Sequence, residues 1–184
     1  MRLATFKGGV HPPEEKELSK DLAIQRAPLP DKVVVFMQQH AGVPAKPIVE
    51  VGQKVKTGQI IAEPGGFISS FIHSPVTGTV VEIKKITNVI FGMAVEAVII
   101  QRDLEDEWEL LPHGDYDKFT KEELLENIKR AGIVGLGGAM FPTNVKLNPP
   151  KDKKIDTLII NGAECEPYLT IDHRMMLEKS EDIL

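Results

Sequence analysis

Two short stretches in the second half of the sequence carry residue types that could bind a charged, planar cofactor. The first is glycine-rich, with Gly135, Gly137 and Gly138 inside four positions and Lys146 shortly after them. Because glycine has no Cβ, backbone amides in such a loop can approach a ligand closely, and successive amides suit phosphate oxygens. A lysine adds a point charge for the same phosphate. The stretch predicts a phosphate site, with a simple tight turn as the alternative.

The second stretch follows about twenty residues later and is rich in polar side chains. Residues 157–160 form an apolar run typical of a buried strand, and Asn161, Glu164 and Glu166 follow it directly. Ligands of α/β folds bind at the carboxyl ends of strands. An amide can both donate to and accept from a flat heterocycle, and the two carboxylates would then border a ring or a ribose.

Common nucleotide motifs do not account for the glycine-rich stretch. The Gly-Lys-Ser/Thr ending of a P-loop is missing, and the stretch follows a predicted helix rather than a strand, unlike the dinucleotide fingerprint.

Composition narrows the function classes. The chain has 184 residues, of which 42% are hydrophobic, and a net charge of −5, which argues against a broad nucleic-acid-binding face. Its single cysteine, Cys165, excludes a disulfide framework or a four-cysteine metal cluster within these residues. No metal site is predicted, and His11, His40, His113 and His173 are expected at the surface or in turns; His73 is a ligand candidate for which packing is the alternative.

The elements that must position these residues fall into four predicted segments. Residues 1–30 are expected to form an N-terminal arm, 31–102 an all-β module, 103–117 a linker, and 118–184 the start of an α/β, Rossmann-like domain. Thr120 and Glu123 have the spacing of a capping box, and Gly132 is the predicted stop of the helix that follows. The predicted β runs lie at 33–37, 47–49, 60–62, 71–72, 78–83 and 95–100.

The β module resembles the barrel-sandwich hybrid of biotinyl and lipoyl carrier domains, through its glycine turns at Gly52 and Gly58 and the strand pair at 74–81. Carriers of that type attach their cofactor to a lysine at a hairpin tip. The corresponding tip here, residues 64–70, contains no lysine, and Lys54 and Lys56 lie on a different turn. The module is therefore interpreted as structural or docking, with a carrier role disfavoured.

A family resemblance joins the two polar stretches. Residues 135–143, Gly-Leu-Gly-Gly-Ala-Met-Phe-Pro-Thr, and 161–167, Asn-Gly-Ala-Glu-Cys-Glu-Pro, resemble the FMN- and NADH-binding domain of the complex I flavoprotein subunit. With residues 6–13, Phe-Lys-Gly-Gly-Val-His-Pro-Pro, and the β module, the whole chain is similar to the C-subunit family of Rnf electron-transport complexes. It departs from the complex I pattern at Ala163, Cys165 and Tyr168, the last of which stands in place of a glycine.

The resemblance implies cofactors and site residues. FMN and NADH would be the cofactors, with two [4Fe-4S] clusters expected only in the family's downstream region. The residues implied in cofactor binding, none of them as a general acid or base, are Gly135, Gly137, Gly138 and Lys146 on the FMN phosphate and ribityl side, Asn161 and Glu164 on the flavin, and Glu166 toward the nicotinamide.

The resemblance also implies a setting. The chain would be part of a ferredoxin:NAD oxidoreductase that drives ion translocation, peripheral to the cytoplasmic side of the cell membrane and held there by partner subunits, with ferredoxin as a further partner. Residues 1–184 alone are expected to be inactive.

No apolar run approaches the roughly 18 residues of a membrane span, and no secretory signal is present. The alternative is a non-catalytic docking module of the same or a related complex, similar to the A subunit of the Na-translocating quinone reductase.

Overall fold

The structure, a computed structural model, describes residues 7–88, 92–111, 114–136, 140–150 and 152–183. These residues group into two compact units, one of them Pro28–Lys154 and the other the residues up to Ala27 together with those from Ile155 onward. Within the described ranges, no helix has the length and apolar character needed to cross a membrane. The strands are β1 (Lys32–Phe36), β2 (Lys46–Pro47), β3 (Lys54–Val55), β4 (Ile60–Glu63), β5 (Ile72–His73), β6 (Gly78–Asn88) and β7 (Met93–Arg102), and the α-helices are α1 (Lys121–Arg130), α2 (Thr143–Lys146), α3 (Ile171–Glu178) and α4 (Ser180–Ile183).

The strands form two antiparallel sheets that enclose one apolar core. One sheet has the order β1-β7-β6-β3 and the other β2-β4-β5. Alternate residues of each strand point inward, as the two-residue period of a strand requires. Val35 in β1 is buried, for example, whereas its neighbour Val34 is 46% exposed. The core holds fully buried side chains from both sheets, among them Met37, Ile61, Val80, Val98 and Ile100. The predicted all-β module is therefore confirmed.

Each of the six predicted β runs overlaps an observed strand, but the sequence pattern understates two elements. β6 continues to Asn88, well past the predicted end at Ile83, and its polar half stays paired with β7 as far as Met93. The exposed pair Lys84 and Lys85 interrupts the apolar alternation, so the pairing with β7 is what shows that this half is a strand. The short β3, which pairs with the start of β6, is also absent from the predicted runs.

A buried histidine fixes the loop between β1 and β2. His40 is 1% exposed; its Nε2 accepts a hydrogen bond from the Ser70 amide at 3.2 Å, and its Nδ1 lies 3.1 Å from the Ala41 carbonyl oxygen. The neutral tautomer protonated at Nδ1 satisfies both contacts. His40 lies in a loop, as one of the two expectations has it, but it is not at the surface, because its ring bridges two segments of chain and sequence spacing does not reveal such a bridge. His113, for which the same was expected, lies outside the described residues.

Gly42, in the same loop, lies against the hairpin tip at residues 64–70. Its φ is +93°, and a Cβ built on it would lie only 2.1 Å from the Ile68 carbonyl oxygen. That carbonyl accepts a hydrogen bond from the Val43 amide at 2.9 Å. Gly65 is equally close on the other side, since a Cβ there would meet the Pro44 carbonyl oxygen at 2.1 Å. The two sides of the tip are therefore packed against the β1–β2 loop, whereas Phe67 at its end is 87% exposed.

The residues that follow β7 bind along the β module. Residues 103–109, here called the acidic segment, bring Trp108 into a parallel bridge with Thr57. The Thr57 amide donates to the Glu107 carbonyl at 2.9 Å, and the Glu109 amide donates to the Thr57 carbonyl at 2.8 Å. The predicted boundaries of a linker at 103–117 stay a prediction, but the acidic segment itself is tied to the sheets.

Asp106 is the polar centre of this attachment. Its Oδ1 accepts a hydrogen bond from the Thr57 hydroxyl and lies 3.0 Å from the Thr77 hydroxyl, and its Oδ2 accepts from Trp108 Nε1 at 2.9 Å. These bonds, that of the Thr57 hydroxyl foremost, lower the pKa of the Asp106 carboxyl because they favour its ionised form.

The lowered pKa predicts a specific pH dependence of stability. Asp106 stabilises the fold fully above its unfolded pKa of about 4, and this contribution is lost as the pH falls through the lower folded pKa. Asp106→Asn should therefore lower the urea midpoint near neutral pH, and its gap to wild type should close as the pH falls from about 5 toward 3. Glu105→Gln, the same charge change on an exposed neighbour, is the control. A gap that stays constant over this pH range would contradict the assignment.

Helix α1 confirms the predicted capping box and stop. Thr120 accepts at its side chain from the Glu123 amide at 3.2 Å, and the Glu123 carboxylate accepts from the Thr120 amide at 2.8 Å. The helix ends before Gly132, whose φ of +68° is the left-handed conformation of a helix stop.

The predicted strand at residues 157–160 is wrong. These residues have no regular structure, and Leu158 and Ile159 are 81% and 83% exposed. An apolar run of this kind becomes a strand only when neighbouring strands satisfy its backbone and cover its side chains. No described residue pairs with it, so the Rossmann-like sheet expected for 118–184 is not formed within the described ranges.

Candidate flavin site

The glycine-rich loop is closed at its base by a short antiparallel neck. Val134 and Pro142 form an isolated bridge, the Gly135 amide donates to the Phe141 carbonyl at 2.9 Å, and the Thr143 amide donates to the Ile133 carbonyl at 3.0 Å. The two other predicted glycines, at 137 and 138, lie outside the described residues. The neck explains why the loop must leave and return at one point, directly before α2.

Lys146 returns to this neck from the end of α2. A Cβ on Gly135 would stand 3.1 Å from Lys146 Nζ and 3.7 Å from the backbone of Phe141. The absent side chain therefore lets the ammonium group of Lys146 lie close against the backbone of the loop, where it adds a positive charge that would favour a phosphate. The Gly135 amide is already used within the neck, so it is not available to a phosphate. Of the four predicted residues on the phosphate side, the structure brings Gly135 and Lys146 together.

The loop is also tied to the β module. Met140 has a φ of +46°, a conformation that favours glycine, and its carbonyl accepts a hydrogen bond from the Ala41 amide at 2.9 Å. A Cβ on Gly132, at the end of α1, would lie 2.6 Å from the Phe71 carbonyl and 3.1 Å from the His73 ring. These close approaches place the start of the loop firmly within the unit Pro28–Lys154.

The second predicted group lies in the segment that follows residue 160. Asn161 is exposed, and its Oδ1 accepts from the Ala163 amide at 2.9 Å, which shapes the local turn. Asn161, Glu164 and Glu166 therefore belong to one short segment of the second unit, whereas Gly135 and Lys146 belong to the first.

Glu164 has one satisfied and one unsatisfied oxygen. Its Oε1 accepts a hydrogen bond at 3.1 Å from the His173 amide in the first turn of α3. Its Oε2 is buried and has no hydrogen-bond partner among the described residues. A buried carboxylate oxygen without a donor is costly, so this atom can accept from an N–H or O–H group of a ligand. The flavin ring and the ribityl chain both carry such donors, so the residue fits FMN.

Residues of the N-terminal arm hold this segment, and the sequence pattern gives no sign of them. Lys16 Nζ donates to the carbonyl oxygens of Glu166 at 3.2 Å and Leu169 at 2.8 Å, and the Tyr168 amide donates to the Glu14 carbonyl at 2.8 Å. A lysine in a polar, proline-rich stretch does not indicate that it binds backbone 150 residues away. Contacts of this kind follow from the tertiary fold alone.

Arg174, on α3, has a side chain that is largely covered by its surroundings. Its side chain is only 17% exposed, and it pairs with Glu178 on the same helix. It also donates to the Lys20 carbonyl at 3.3 Å. The Arg174–Glu178 ion pair, with the Ile24 amide donating to Glu178 Oε1 at 3.0 Å, lowers the pKa of the Glu178 carboxyl. Helix α3 is thus bound to the N-terminal arm by hydrogen bonds from Arg174 and to Glu178.

The alternative interpretations of the β module find little support. Lys54 pairs with Asp103 at 2.7 Å and Lys56 with Glu107 at 2.9 Å, and these carboxylates raise the pKa of both lysines. Both lysines therefore serve the attachment of the acidic segment. Burial lowers the pKa of His73, which also bonds the Arg130 backbone. No group of three His, Cys, Asp or Glu side chains that could hold a metal ion occurs within the described ranges.

The fold and the sequence together define a class of protein: a barrel-sandwich module joined to a segment that carries the candidate flavin-binding residues. Residues 4–105 match the family model described as the RnfC barrel sandwich hybrid domain, and residues 128–184 match that of the Nuo51 FMN-binding domain. The first match spans more than half of the chain. The chain belongs to the RnfC family, the C subunits of Rnf complexes.

Curated relatives carry the similarity along the whole chain. The C subunit of the proton-translocating ferredoxin:NAD(+) oxidoreductase complex of Clostridium ljungdahlii is 46% identical over 184 residues, covering 99% of this chain and 40% of the relative. Its Na(+)-translocating counterpart from Acetobacterium woodii is 41% identical, covering 100% and 42%. The C subunit of the ion-translocating oxidoreductase complex of Pseudomonas aeruginosa is 45% identical, covering 99% and 24%. The chain thus spans about two fifths or less of these relatives.

Proposed function

We propose that this chain is the N-terminal part of a flavoprotein subunit that exchanges electrons between NADH and iron–sulfur carriers within an ion-translocating membrane complex. The observation that carries the proposal is the pairing of Lys146 with the Cβ-free position at Gly135, inside a segment that matches an FMN-binding family model. Relatives named as ferredoxin:NAD(+) oxidoreductase subunits support the same class of reaction.

Each group of residues has a distinct role in this proposal. Gly135, Gly137, Gly138 and Lys146 hold the FMN phosphate, and the ammonium of Lys146 balances its charge. Asn161 and Glu164 bind polar groups of the flavin, with Glu164 Oε2 as an acceptor, and Glu166 lies toward the nicotinamide. When bound, FMN supplies the chemistry that joins a two-electron nicotinamide to one-electron carriers. The chain's own residues bind and orient the cofactor, and none is needed as a general acid or base.

The setting of the subunit is part of the proposal. Its partners are the other subunits of the complex, with NADH and ferredoxin as redox partners, and the [4Fe-4S] clusters of the family lie outside residues 1–184. The subunit is peripheral, on the cytoplasmic side of the membrane, and the β module serves structure or docking. The tip at residues 64–70 supports this use over cofactor carriage, because a carrier needs a lysine there and the tip has none.

Identification of the cofactor tests the proposal. The full-length subunit is purified under mild conditions, its small molecules are released with acid, and they are identified by mass. We expect FMN in a one-to-one ratio with the polypeptide, and only weak FMN binding by residues 1–184 alone. Absence of flavin from the full-length subunit, before and after incubation with excess FMN, would overturn the proposal and favour a docking module.

A further inference from the structure

A strained turn lies directly after the segment that carries Asn161, Glu164 and Glu166. Tyr168 has a φ of +68°, the left-handed region that bulky residues rarely occupy. A conformation of this kind costs free energy and persists only where the surrounding structure holds it. The turn is therefore a point at which outside contacts decide the local backbone, and with it the direction of the neighbouring side chains.

The contacts that hold the turn come from the N-terminal arm. Lys16 Nζ spans the turn, bonding the carbonyl on each side of it at 3.2 Å (Glu166) and 2.8 Å (Leu169). The Tyr168 amide donates to the Glu14 carbonyl at 2.8 Å. Hydrogen bonds from an ammonium group are stronger than neutral ones. Lys16 acts as a clamp across the strained turn.

A second set of contacts continues the clamp into α3. Ser19 Oγ lies 2.9 Å from the hydroxyl of Thr170, a buried residue directly before the helix. Farther along the arm, the Lys20 carbonyl accepts from Arg174 and the Ile24 amide donates to Glu178. The arm is thus fixed at the turn and along the helix. These contacts set where α3 begins.

The start of α3 in turn fixes Glu164. The His173 amide in the first turn of the helix holds Glu164 Oε1 at 3.1 Å, which leaves the buried Oε2 in a defined position. We propose that Lys16 is a positioning residue for the flavin and nicotinamide segment: by clamping the Tyr168 turn, it fixes Glu164 and Glu166. This inference deepens the proposed function and rests on it.

Hydrogen exchange on the full-length subunit tests the clamp without relying on activity. Lys16→Met keeps the aliphatic stem but removes the ammonium, and we expect the Tyr168 and His173 amides to exchange roughly tenfold faster. Lys20→Met is the matched control, because the Lys20 side chain pairs only with Glu17 among the described residues while its carbonyl is unchanged. Lys16→Arg, which can still donate to both carbonyls, should restore most of the protection. Unchanged exchange in Lys16→Met would overturn the proposal.

Steady-state kinetics test whether the Lys16 clamp affects the use of NADH. In the FMN-loaded subunit, Lys16→Met should raise the KM for NADH about three- to tenfold with a smaller change in kcat, and Lys16→Arg should reverse it. Faster exchange with an unchanged KM would reduce Lys16 to a purely structural role and overturn the proposal. If Lys16→Met does not fold, Ser19→Ala should give a weaker change in the same direction at both readouts, and no change would overturn it.

The two levels of the proposal fail separately. A wild-type subunit that binds no FMN overturns the proposed function, whatever Lys16 does. A wild-type subunit that binds FMN and oxidises NADH, together with a Lys16→Met variant that matches it in exchange and kinetics, overturns the positioning role alone.

Discussion

Gly42→Ala is expected to destabilise the β module by about 3 kcal/mol or more. A non-glycine residue at a φ of +93° costs about 1–2 kcal/mol. The new Cβ would also stand 2.1 Å from the Ile68 carbonyl oxygen, which is backbone and cannot rotate away. Moving Ile68 breaks the Val43–Ile68 hydrogen bond, a further loss of about 1 kcal/mol. Urea unfolding followed by circular dichroism measures the effect.

Gly52→Ala is a matched control for this variant. Gly52 has nearly the same φ, +91°, but a Cβ there would meet no atom within 4 Å. It should lose only the backbone cost of about 1–2 kcal/mol. The difference between the two variants isolates the close approach of the β1–β2 loop to the tip. Equal losses in the two variants would contradict the described packing.

Lys146→Met in the full-length subunit is expected to weaken FMN binding roughly 10- to 100-fold. A hydrogen bond to a charged group is worth about 1.5–3 kcal/mol, and each 1.4 kcal/mol is a factor of ten in affinity. Methionine keeps the length and apolar stem of the side chain, so the fold should be preserved. Titration of the apoprotein with FMN, followed by the quenching of flavin fluorescence, gives the dissociation constant.

Two further variants serve as a control and as a second test of the same position. Lys129→Met removes an exposed lysine of α1 that lies 3.9 Å from Glu126, and it should leave FMN affinity unchanged. Gly135→Ala adds a Cβ 3.1 Å from Lys146 Nζ, a flexible group that can move, so it should weaken binding without unfolding the chain. Because both changes act on the same space, their effects should not add in the double variant. Additive effects, or a Lys146→Met variant that binds FMN like wild type, would argue against the phosphate role.

Sequence patterns predict the β module well because its signals are local. Alternating apolar residues and glycine turns indicate six strands, and the Thr120–Glu123 pair indicates the start of α1. The sequence pattern does not predict the polar half of β6, because only its pairing with β7 makes it a strand. The strand prediction for residues 157–160 is wrong for the opposite reason. The apolar pattern is strong there, but no described strand lies beside it. Local preference alone does not fold a strand.

In the candidate site, too, contacts between residues close in sequence could be predicted and long-range contacts could not. Gly135 and Lys146 can be paired from the sequence because they lie eleven residues apart across one short helix. Lys16 and Arg174 cannot, since their contacts join the arm to residues about 150 positions away. The role of His40 could not be predicted for a similar reason, because its ring bridges two loops of the sandwich.

Anaerobic titration of the FMN-loaded, full-length subunit with NADH tests the central claim most directly. The claim is that the residues after the β module place FMN where a nicotinamide can reduce it. We predict that stoichiometric NADH bleaches the visible flavin band and that a one-electron acceptor of high potential, such as ferricyanide, restores it. A subunit that holds FMN yet keeps its flavin band under excess NADH would contradict the account.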